Sequence, residues 1–505
     1  MTGGIAPSIV GERPTPADEA RLLASLPTGL LIGGEWRDAS DGGTLEVHDP
    51  STGEVLVAIA SATPADGRAA LDAAVAAQAD WARTPPRERA EILRRAFDAL
   101  TARRDDFALL MTLEMGKPLA EARGEVAYGA EFLRWFSEET ARIGGRYATS
   151  PDGSSRLLVL KRPVGPCLFI TPWNFPLAMA TRKIAPAIAA GCTMVLKPAA
   201  LTPLTALLFA QVLTDAGLPP GVLNVIPTAS AGAVTGPLVR DPRLRKLSFT
   251  GSTEVGRRLI ADAAEQVLRV SMELGGNAPL MVFDDADLDR AVEGAMLAKL
   301  RNGGEACTAA NRILVHREVA AEFTERLVTR MREHTVARGT DPASRIGPLV
   351  DEATRSKVHE LVLGAVAEGA SLALGGAVVP GPGYFYEPTV LTDVPRGAAV
   401  LAEEIFGPVA PIVVFDTEEE AVGLANDTEF GLVAYAFTND LARALRLAET
   451  LEVGMFGLNT GIVSNPAAPF GGVKQSGLGR EGGAEGIEEY LETTYVGIAD
   501  PWVGS

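Results

Sequence analysis

Apolar runs alternate with helical patterns through the middle of the chain, and this alternation predicts its architecture. Five short, β-rich apolar runs occur at Cys167–Thr171, Thr193–Lys197, Val222–Ile226, Lys246–Thr250 and Val267–Met272. Apolar residues at helical spacing lie between them, near residues 176–190, 203–216, 230–240 and 252–263. Strands that alternate with helices are typical of a parallel sheet built from βαβ units, with helices on both faces.

A second α/β pattern follows and extends to residue 437. Its predicted elements are a strand at Pro279–Phe283, a helix at Asp287–Lys299, a strand at Arg312–His316, a helix from Glu318, and strands at Thr389–Leu391, Ala410–Phe415 and Val433–Phe437. We therefore expect two α/β units with a cleft between them. Ligands of parallel sheets bind outside the carboxyl ends of the strands, so the residues that follow each strand are the first candidates for a site.

The region before residue 150 predicts mainly helices. Extended pieces at Leu30–Ile32 and Glu46–His48 are typical of edge strands. Thr63-Pro64 combines an N-cap residue with proline at the first helical position, which predicts a helix that continues to Trp81. Further helices are predicted over residues 87–115 and 120–142.

Composition and charge exclude several classes of function. The chain has 505 residues, enough for two or three domains, and 46 Lys and Arg against 64 Asp and Glu give a formal net charge of -18. This charge repels a phosphate backbone and an anionic membrane surface, so no nucleic acid and no membrane partner is expected. No segment has about 18 consecutive apolar residues, and residues Met1 to Pro16 show no basic region followed by an apolar run. We therefore expect a soluble, cytoplasmic protein.

The cysteines and histidines give further limits. Cys167, Cys192 and Cys307 are too few for a disulfide framework, which indicates free thiols in a reducing compartment. The four histidines lack the spacing of metal ligands, and no metal site is expected.

Cys307 is the candidate nucleophile. It ends the segment Arg301-Asn302-Gly303-Gly304-Glu305-Ala306-Cys307, and the small residues after it could begin a helical turn whose free N–H groups would activate the thiol. The alternative is that Cys307 has no catalytic role and packs in the core as a small apolar side chain. This is the commoner role of a lone cysteine, and it is the one we assign to Cys167 and Cys192.

Glu273 and Asn174 follow predicted strands at the expected ligand edge. Glu273 could act as a general base for water, or it could be a solvated turn residue. Asn174, between Trp173 and Phe175, could stabilise an oxyanion, or it could bond its own turn.

Two features suit a nucleotide cofactor. Lys197 ends the second strand, where a lysine can bond a ribose or phosphate, although a strand-end lysine can also be merely solvated. Gly251-Ser252 opens a helix directly after a strand, so its free N–H groups and dipole suit a pyrophosphate.

One glycine pattern is a false match. Gly477, Gly479 and Gly482 fit G-x-G-x-x-G, but no strand precedes them, and we assign them to a turn.

Six motifs occur in the order of one enzyme family. They are Pro172-Trp173-Asn174-Phe175-Pro176, Lys197-Pro198-Ala199, Phe249-Thr250-Gly251-Ser252, Met272-Glu273-Leu274-Gly275-Gly276, Cys307 and Glu404–Pro408. Over nearly its whole length the sequence resembles the aldehyde dehydrogenase superfamily. Six motifs in order are far more specific than one, and they favour the catalytic interpretation of Cys307, Glu273 and Asn174.

The resemblance implies an α/β fold in three parts. A Rossmann-type parallel-sheet cofactor domain would comprise residues 1–143 and 164–274, an α/β catalytic domain residues 275–473, and a small oligomerisation hairpin and bridging element residues 144–163 and 474–505. A homodimer or homotetramer is the implied assembly.

The resemblance also implies a mechanism. Cys307 attacks an aldehyde, Asn174 holds the oxyanion, hydride passes to the nicotinamide, and Glu273 activates the water that hydrolyses the thioester. The implied cofactor contacts are Thr171, Trp173, Lys197, Ala200, Gly251, Ser252, Leu274, Glu404 and Phe406. Glu305 departs from the glutamine usual in the family, which would add an acid near the thiol and could raise its pKa.

Ala200 bears on the choice of cofactor. Family members that prefer NAD tend to carry glutamate at this position, and without that acid Lys197 is free to pair with a 2′-phosphate. NADP is therefore the expected cofactor, with NAD possible.

Three positions bear on the substrate. Arg182, Arg301 and Ser464 coincide with the positions that succinate-semialdehyde dehydrogenases use to bind the far carboxylate, although each alone is more often a surface arginine or a loop serine. We expect oxidation of the small aldehyde succinate semialdehyde.

The alternatives are a general or a glutarate-semialdehyde dehydrogenase, a CoA-acylating dehydrogenase, and a catalytically silent structural relative. The presence of Glu273 favours hydrolysis over acyl transfer to CoA. The presence of both Cys307 and Glu273 disfavours a silent protein.

Overall fold

The computed structural model describes residue 8 and residues 14–502. Its α-helices are α1 Pro16–Ala24, α2 Pro64–Arg83, α3 Pro86–Ala102, α4 Arg104–Met115, α5 Leu119–Glu139, α6 Ala178–Ala190, α7 Leu204–Asp215, α8 Ala231–Val239, α9 Thr253–Ala264, α10 Leu288–Leu300, α11 Arg317–Arg332, α12 Glu352–Ala367, α13 Ala399–Ala402, α14 Glu418–Asn426, α15 Leu441–Thr450 and α16 Glu485–Glu488. Its strands are β1 Leu30–Ile32, β2 Glu35–Arg37, β3 Thr44–His48, β4 Val55–Ala60, β5 Arg146–Thr149, β6 Ser155–Pro163, β7 Cys167–Ile170, β8 Met194–Lys197, β9 Leu223–Val225, β10 Lys246–Thr250, β11 Arg269–Glu273, β12 Ala278–Val282, β13 Ala310–His316, β14 Ser371–Leu374, β15 Thr389–Thr392, β16 Val409–Phe415, β17 Phe430–Gly431, β18 Val433–Phe437, β19 Met455–Leu458, β20 Val473–Lys474, β21 Gly477–Leu478 and β22 Leu491–Ala499. No helix in this described part of the chain has the length and apolarity needed to cross a membrane.

An eight-stranded sheet contains the five strands predicted from the apolar runs. Its order is β2-β1-β9-β8-β7-β10-β11-β21, and β7 to β11 run parallel. The predicted bounds agree with the observed bounds within two residues. β11 begins later than predicted, at Arg269, because Val267 has a φ of 51° and is 90% exposed, which places it in the preceding turn.

Alternate residues of the central strand show that both faces of this sheet are covered. Cys167 and Phe169 of β7 pack into a core with α3 to α7, whereas Leu168 and Ile170 pack into a second core with α2, α8 and α9. This is the two-faced burial that a parallel sheet with crossover helices requires.

A seven-stranded sheet forms the second unit. Its order is β14-β15-β16-β13-β12-β18-β19, and its strands are parallel except for β14, which runs antiparallel to β15. The strands predicted at β12, β13, β15, β16 and β18 are confirmed, as are α10 and α11. The sequence pattern did not indicate the edge strands β14 and β19.

The single helix predicted over residues 87–115 is wrong, because two helices occupy this stretch. Arg103 leaves the helical conformation at φ -102° and ψ 22° and separates α3 from α4. Its guanidinium pairs with the buried carboxylate of Asp106 at 3.0 Å, which fixes the start of α4. Residues Asp106–Met115 of α4 are all buried, so the second helix is part of the core rather than a continuation of the amphipathic α3.

A separate three-stranded antiparallel sheet has the order β22-β6-β5. The residues of β5 are exposed, and so are most of those of β22, among them the large side chains of Tyr147 and Tyr495. An apolar and aromatic sheet surface of this kind is typical of an interaction surface.

The assignment of Gly477 to a turn is wrong. Gly477–Leu478 is a short edge strand that pairs antiparallel with Met272 and Glu273 of β11. Gly477 has a φ of 127°, and a Cβ there would collide with the carbonyl oxygen of Met272. The glycine therefore allows the C-terminal segment to approach the strand that carries Glu273.

Candidate active site

The carboxyl edge of the first sheet brings distant predicted residues together. Ile170 pairs with Lys197 at the ends of β7 and β8, and Thr250 pairs with Glu273 at the ends of β10 and β11. The residues that follow these strands therefore enter one region. Asn174, Glu273 and Cys307 all line a cavity of 240 Å³ at this edge.

Cys307 lies in a turn between the 3₁₀ segment Arg301–Gly304 and β13. The predicted activation by a helix N-terminus is wrong, since the next helix, α11, begins only after β13. The approach to the thiol is instead set by left-handed backbone at Asn302 and Gly303, with φ values of 57° and 64°.

The electrostatic environment of Cys307 comes from groups distant in sequence. Burial raises the pKa of its thiol to about 12, and the positive charge of Arg182 opposes this shift. The carboxylates of Glu404 and Glu273 raise the pKa further. Arg182 is therefore the main group that favours the reactive thiolate.

The Asn174 side chain is held against the loop of the nucleophile. Its Nδ2 donates to the carbonyl oxygen of Glu305 at 3.0 Å, and its Oδ1 accepts no hydrogen bond from the described residues. Because an amide nitrogen carries two hydrogens, one N–H remains for a ligand. Asn302 Nδ2 reinforces the arrangement by donating to the carbonyls of Asn174 and Glu305, at 2.9 and 3.0 Å.

A buried ion pair supports the Asn174 loop from behind. Lys117 Nζ lies 2.5 Å from Glu125 Oε2 and donates to the carbonyl oxygen of Asn174 at 2.8 Å. Glu125 Oε1 accepts from the backbone N–H groups of Leu177 and Ala178 at the start of α6. This pair carries no sequence signal, because a lysine just before a helix and a glutamate within it look like solvated surface charges.

Glu273 ends β11 with its carboxyl group buried. Neither of its carboxyl oxygens has a hydrogen-bond partner among the described residues. Burial raises its pKa well above the ordinary value, and the Glu481 carboxylate adds to this, whereas Arg182 and Lys183 act in the opposite direction. The group is thus poised to exchange a proton rather than to remain permanently charged.

Glu481 is a second residue that the sequence analysis missed. Its carboxylate forms ion pairs of 2.6 Å with both Arg182 and Lys183, and all three side chains are buried. Lys183 Nζ also donates to Ser248 Oγ at 3.0 Å. The three buried charges of Arg182, Lys183 and Glu481 therefore all act on the pKa of Glu273.

The cofactor residues predicted from the resemblance divide into two groups. Trp173, Gly251, Ser252, Leu274, Glu404 and Phe406 line the same 240 Å³ cavity as Cys307. The rings of Trp173 and Phe406 meet edge to face at 5.4 Å, and the Glu404 carboxylate accepts the N–H of Gly276 at 3.1 Å. Burial raises the pKa of Glu404 to about 7.

The second group follows the ends of β7 and β8. The backbone N–H of Thr171 donates to the carbonyl oxygen of Lys197 at 3.2 Å, and Ala200 lies three residues beyond Lys197. Lys197 is only 7% exposed, and burial lowers its pKa to about 8 with no described carboxylate opposing the shift. A buried amine without an acid beside it fits a phosphate or ribose ligand.

The N-terminus of α9 completes this edge. Ser252 is the N-cap and its hydroxyl accepts from the N–H of Val255, so the hydroxyl stabilises the helix. The twelve residues of α9 give the exposed N–H groups a dipole that suits a pyrophosphate. The residues present therefore fit a dinucleotide.

A separate pocket of 480 Å³ contains two of the three predicted substrate residues. Arg301 and Ser464 both line it, and Arg301 Nη1 donates to Ser464 Oγ at 3.1 Å. The Arg301 guanidinium also lies 5.0 Å from the centre of the Phe175 ring, and Phe175 is the residue that follows Asn174 in the sequence. This pocket is therefore adjacent to the oxyanion donor.

Arg182, the third predicted substrate residue, does not line this pocket. The alternative of a helix-surface arginine is wrong, because the side chain is buried on α6. Its guanidinium pairs with Glu481 and stacks on Phe470, 3.8 Å from the ring centre. The structure thus places Arg182 close enough to Cys307 and Glu273 to lower the pKa of both, and its role as a substrate ligand stays a prediction.

Residues 36–496 match the model of the aldehyde dehydrogenase family. The chain belongs to this family. The aldehyde dehydrogenase is 67% identical to a succinate-semialdehyde dehydrogenase of Paenarthrobacter nicotinovorans, over 89% of this chain and all of that protein. It is 50% identical to a glutarate-semialdehyde dehydrogenase of Pseudomonas aeruginosa, over 92% of this chain and 96% of that protein. A crystal structure of an NADP-dependent Escherichia coli enzyme superposes with a TM-score of 0.93 at 49% identity, over 95% of this chain and 99% of that one.

The fold predicted for an aldehyde dehydrogenase is confirmed by this match. The Glu305 carboxylate points to the backbone of Val350, whose N–H it accepts at 3.0 Å, and the main influences on the Cys307 pKa come from other groups, so the predicted effect of Glu305 stays a prediction. Burial raises the pKa of Glu305 itself well above the ordinary value. A protonated glutamic acid is close in shape and hydrogen bonding to the glutamine usual in aldehyde dehydrogenases.

Proposed function

We propose that this aldehyde dehydrogenase oxidises succinate semialdehyde to succinate with NADP. The observation that carries the proposal is the hydrogen-bonded pair of Arg301 and Ser464 in the pocket next to Phe175. A guanidinium and a hydroxyl together suit a carboxylate, and a neutral aldehyde of the same length could not use them. The relative named for this substrate, at 67% identity, supports the assignment.

The first chemical step forms a bond between Cys307 Sγ and the aldehyde carbon. The remaining N–H of Asn174 Nδ2 and the backbone N–H of Cys307 stabilise the oxyanion of the thiohemiacetal. Arg182 favours the attacking thiolate, since its charge lowers the pKa of Cys307. Oxidation of the thiohemiacetal leaves a thioester on the same sulfur.

The dinucleotide, when bound, supplies the acceptor for the hydride. Trp173 and Phe406 form one wall of its cavity, and the carboxylate of Glu404 offers a hydrogen-bond acceptor to a ribose. Lys197 and the N-terminus of α9 would hold its phosphates through their positive charge and dipole. Together these residues would hold the dinucleotide at the edge of the sheet that also carries Cys307.

The second chemical step is hydrolysis of the thioester. Glu273 takes a proton from water, the water oxygen attacks the acyl carbon, and the carboxylic acid leaves as the Cys307 thiol is restored. Glu273 must be ionised for this role. Arg182 and Lys183 favour that state, because both lower its pKa.

NADP is the proposed cofactor for two reasons. No carboxylate within the described ranges opposes the shift in the Lys197 pKa, and Ala200 offers no negative charge to repel a 2′-phosphate. The NADP-dependent neighbour at 49% identity supports this choice.

Glutarate semialdehyde is a second candidate substrate. The relative at 50% identity is named for it. Both substrates carry the same terminal carboxylate, so Arg301 and Ser464 serve either.

A substrate panel tests the proposal. We expect kcat/KM for succinate semialdehyde to exceed that for butanal by about tenfold or more, since butanal lacks hydrogen bonds to a charged group. Replacing Arg301 by Ala should raise KM for the semialdehyde by about tenfold and leave butanal kinetics nearly unchanged. Equal losses on both substrates, or a wild-type preference for butanal, would identify a general aldehyde dehydrogenase.

We also propose a homo-oligomer that associates through the sheet of β5, β6 and β22, a supporting observation being its exposed aromatic surface. The domain bounds of the sequence analysis stay a prediction, and parts of their terminal segments lie outside the described residues. A cytoplasmic location stays a proposal, consistent with three free cysteines.

A further inference from the structure

Tyr128 is a large polar side chain of the substrate pocket that has no assigned role. It lies on α5 and lines the 480 Å³ pocket together with Arg301, Ser464 and Phe175. Its ring meets Phe132 edge to face at 5.1 Å, which fixes its orientation from the core side. The Arg301 guanidinium lies 5.8 Å from the ring centre on the pocket side.

The hydroxyl of Tyr128 is buried without a hydrogen-bond partner among the described residues. A buried tyrosine hydroxyl normally finds a partner, because leaving it unpaired costs free energy. Burial raises the pKa of this hydroxyl and the Glu481 carboxylate adds to the rise, whereas Arg182, Arg301 and Ser464 act to lower it. The hydroxyl is therefore an unused donor that lies within the influence of two guanidinium groups and one carboxylate.

The neighbouring polar groups have other partners. Arg182 is engaged by Glu481 at 2.6 Å and stacks on Phe470. Three acids line the pocket: Glu121, Glu125 and Glu293. Glu121 accepts the backbone N–H of Asn302 at 2.5 Å, Glu125 pairs with Lys117, and Glu293 pairs with Arg330. Of the predicted anion ligands, only Arg301 and Ser464 line the pocket, and these two already meet beside Tyr128.

We propose that the Tyr128 hydroxyl donates a hydrogen bond to the far carboxylate of the substrate, as a third ligand beside Arg301 and Ser464. This inference rests on the proposed function, because it needs an ω-carboxy aldehyde in the pocket. It makes Tyr128 a specificity-determining residue. Arg182 then serves the reacting end of the substrate rather than its carboxylate.

Tyr128→Phe tests the proposal, because it removes only the hydroxyl and keeps the ring that packs on Phe132. In the full-length protein with NADP, we expect KM for succinate semialdehyde to rise by about tenfold or more, the effect of losing a hydrogen bond to a charged group. We expect kcat to change less than about twofold, and butanal kinetics to change no more than that.

Tyr386→Phe is the matched control. Tyr386 is also buried, and its hydroxyl contacts His359 Nδ1 at 3.2 Å, remote from the substrate pocket. This variant should leave both substrates unaffected. A semialdehyde effect of the same size in both variants would overturn the proposal, since it would reflect a general loss of packing.

Inhibition by succinate gives a second measurement that does not depend on semialdehyde turnover. With butanal as the substrate, succinate should inhibit Tyr128→Phe more weakly than the wild type. Its inhibition constant should rise by a factor similar to the rise in KM. An unchanged constant and an unchanged KM, in an enzyme that still prefers succinate semialdehyde, would overturn the role of Tyr128 alone. A wild-type enzyme that prefers butanal would overturn the proposed function and this inference together.

Discussion

The carboxylate of Glu481 lies 2.6 Å from the guanidinium of Arg182, and both side chains are buried. The pair engages the guanidinium of Arg182, which is not among the residues that line the 480 Å³ pocket. It also couples the C-terminal segment to the catalytic groups, because Arg182 lowers the pKa of Cys307 and of Glu273, whereas Glu481 raises that of Glu273.

Glu481→Gln should therefore shift the pH dependence of thioester hydrolysis. Removing the negative charge lowers the pKa of Glu273, so the acid limb of the deacylation rate should move to lower pH. The variant should also lose stability, about 3–5 kcal/mol, because two buried cations lose their partner. Deacylation can be followed over pH after a rapid burst, and unfolding in urea reports stability. An acid limb at the wild-type position would argue against the coupling.

Cys307→Ala should abolish turnover with the fold intact. The sulfur forms the covalent intermediate, and loss of a nucleophile typically costs a factor of about a thousand or more. Cys167→Ala and Cys192→Ala are the controls, since both cysteines are buried in the first core. NADPH absorbance measures the activity. Trace activity in a control but full activity in Cys307→Ala would show that the nucleophile is misassigned.

Glu273→Gln should separate the two chemical steps. Glutamine cannot accept a proton from water, so we expect a burst of reduced cofactor followed by a steady rate lowered about a hundredfold or more. Stopped-flow absorbance detects both phases. If the burst itself disappeared while the cofactor still bound, Glu273 would act before hydride transfer.

Glu305→Gln should preserve activity at neutral pH and increase stability at high pH. Burial raises the Glu305 pKa well above 4.5 in the folded protein. Its favourable contribution is therefore fully present below pH 4.5 and declines as the pH rises toward the folded-state pKa. The glutamine variant lacks this decline, so its advantage in Tm should grow from pH 5 to pH 9. A constant difference in Tm over this range would mean that Glu305 is already ionised in the folded protein.

Ala200→Glu should move the preference from NADP toward NAD. The new carboxylate repels a 2′-phosphate and competes for Lys197, so kcat/KM for NADP should fall by about tenfold or more. Ala200→Gln introduces similar bulk without charge and should have a much smaller effect. Parallel losses in both variants would point to steric hindrance rather than charge.

The sequence predicted the parallel sheets well because apolar β-rich runs recur at βαβ spacing. It failed where tertiary contacts override local pattern. The helix over residues 87–115 breaks at Arg103 because Asp106 is buried, and helical spacing alone does not contain that information. The turn at Cys307 follows from left-handed backbone at Asn302, where a helical start looked equally suitable.

Some residues of the site could not be identified from the sequence. The cysteine, glutamate and asparagine of the reaction centre occupy recognisable motifs, so they were identified as candidates. Lys117, Tyr128 and Glu481 carry no such motif. Their importance comes from burial and from partners far along the chain, such as the 298 positions between Lys183 and Glu481.

The same separation sets the order in which the site can be built during protein synthesis. Arg182 and Lys183 leave the ribosome early and enter a helix that the finished enzyme buries completely. Their counter-charge, Glu481, and the edge strand that pairs with Glu273 are made only near the end of translation. Until then the two cations lack the carboxylate that neutralises them in the finished enzyme. A nascent chain halted before residue 481 would hold the cysteine, the base and the oxyanion donor, yet it would lack the buried charge that completes their setting.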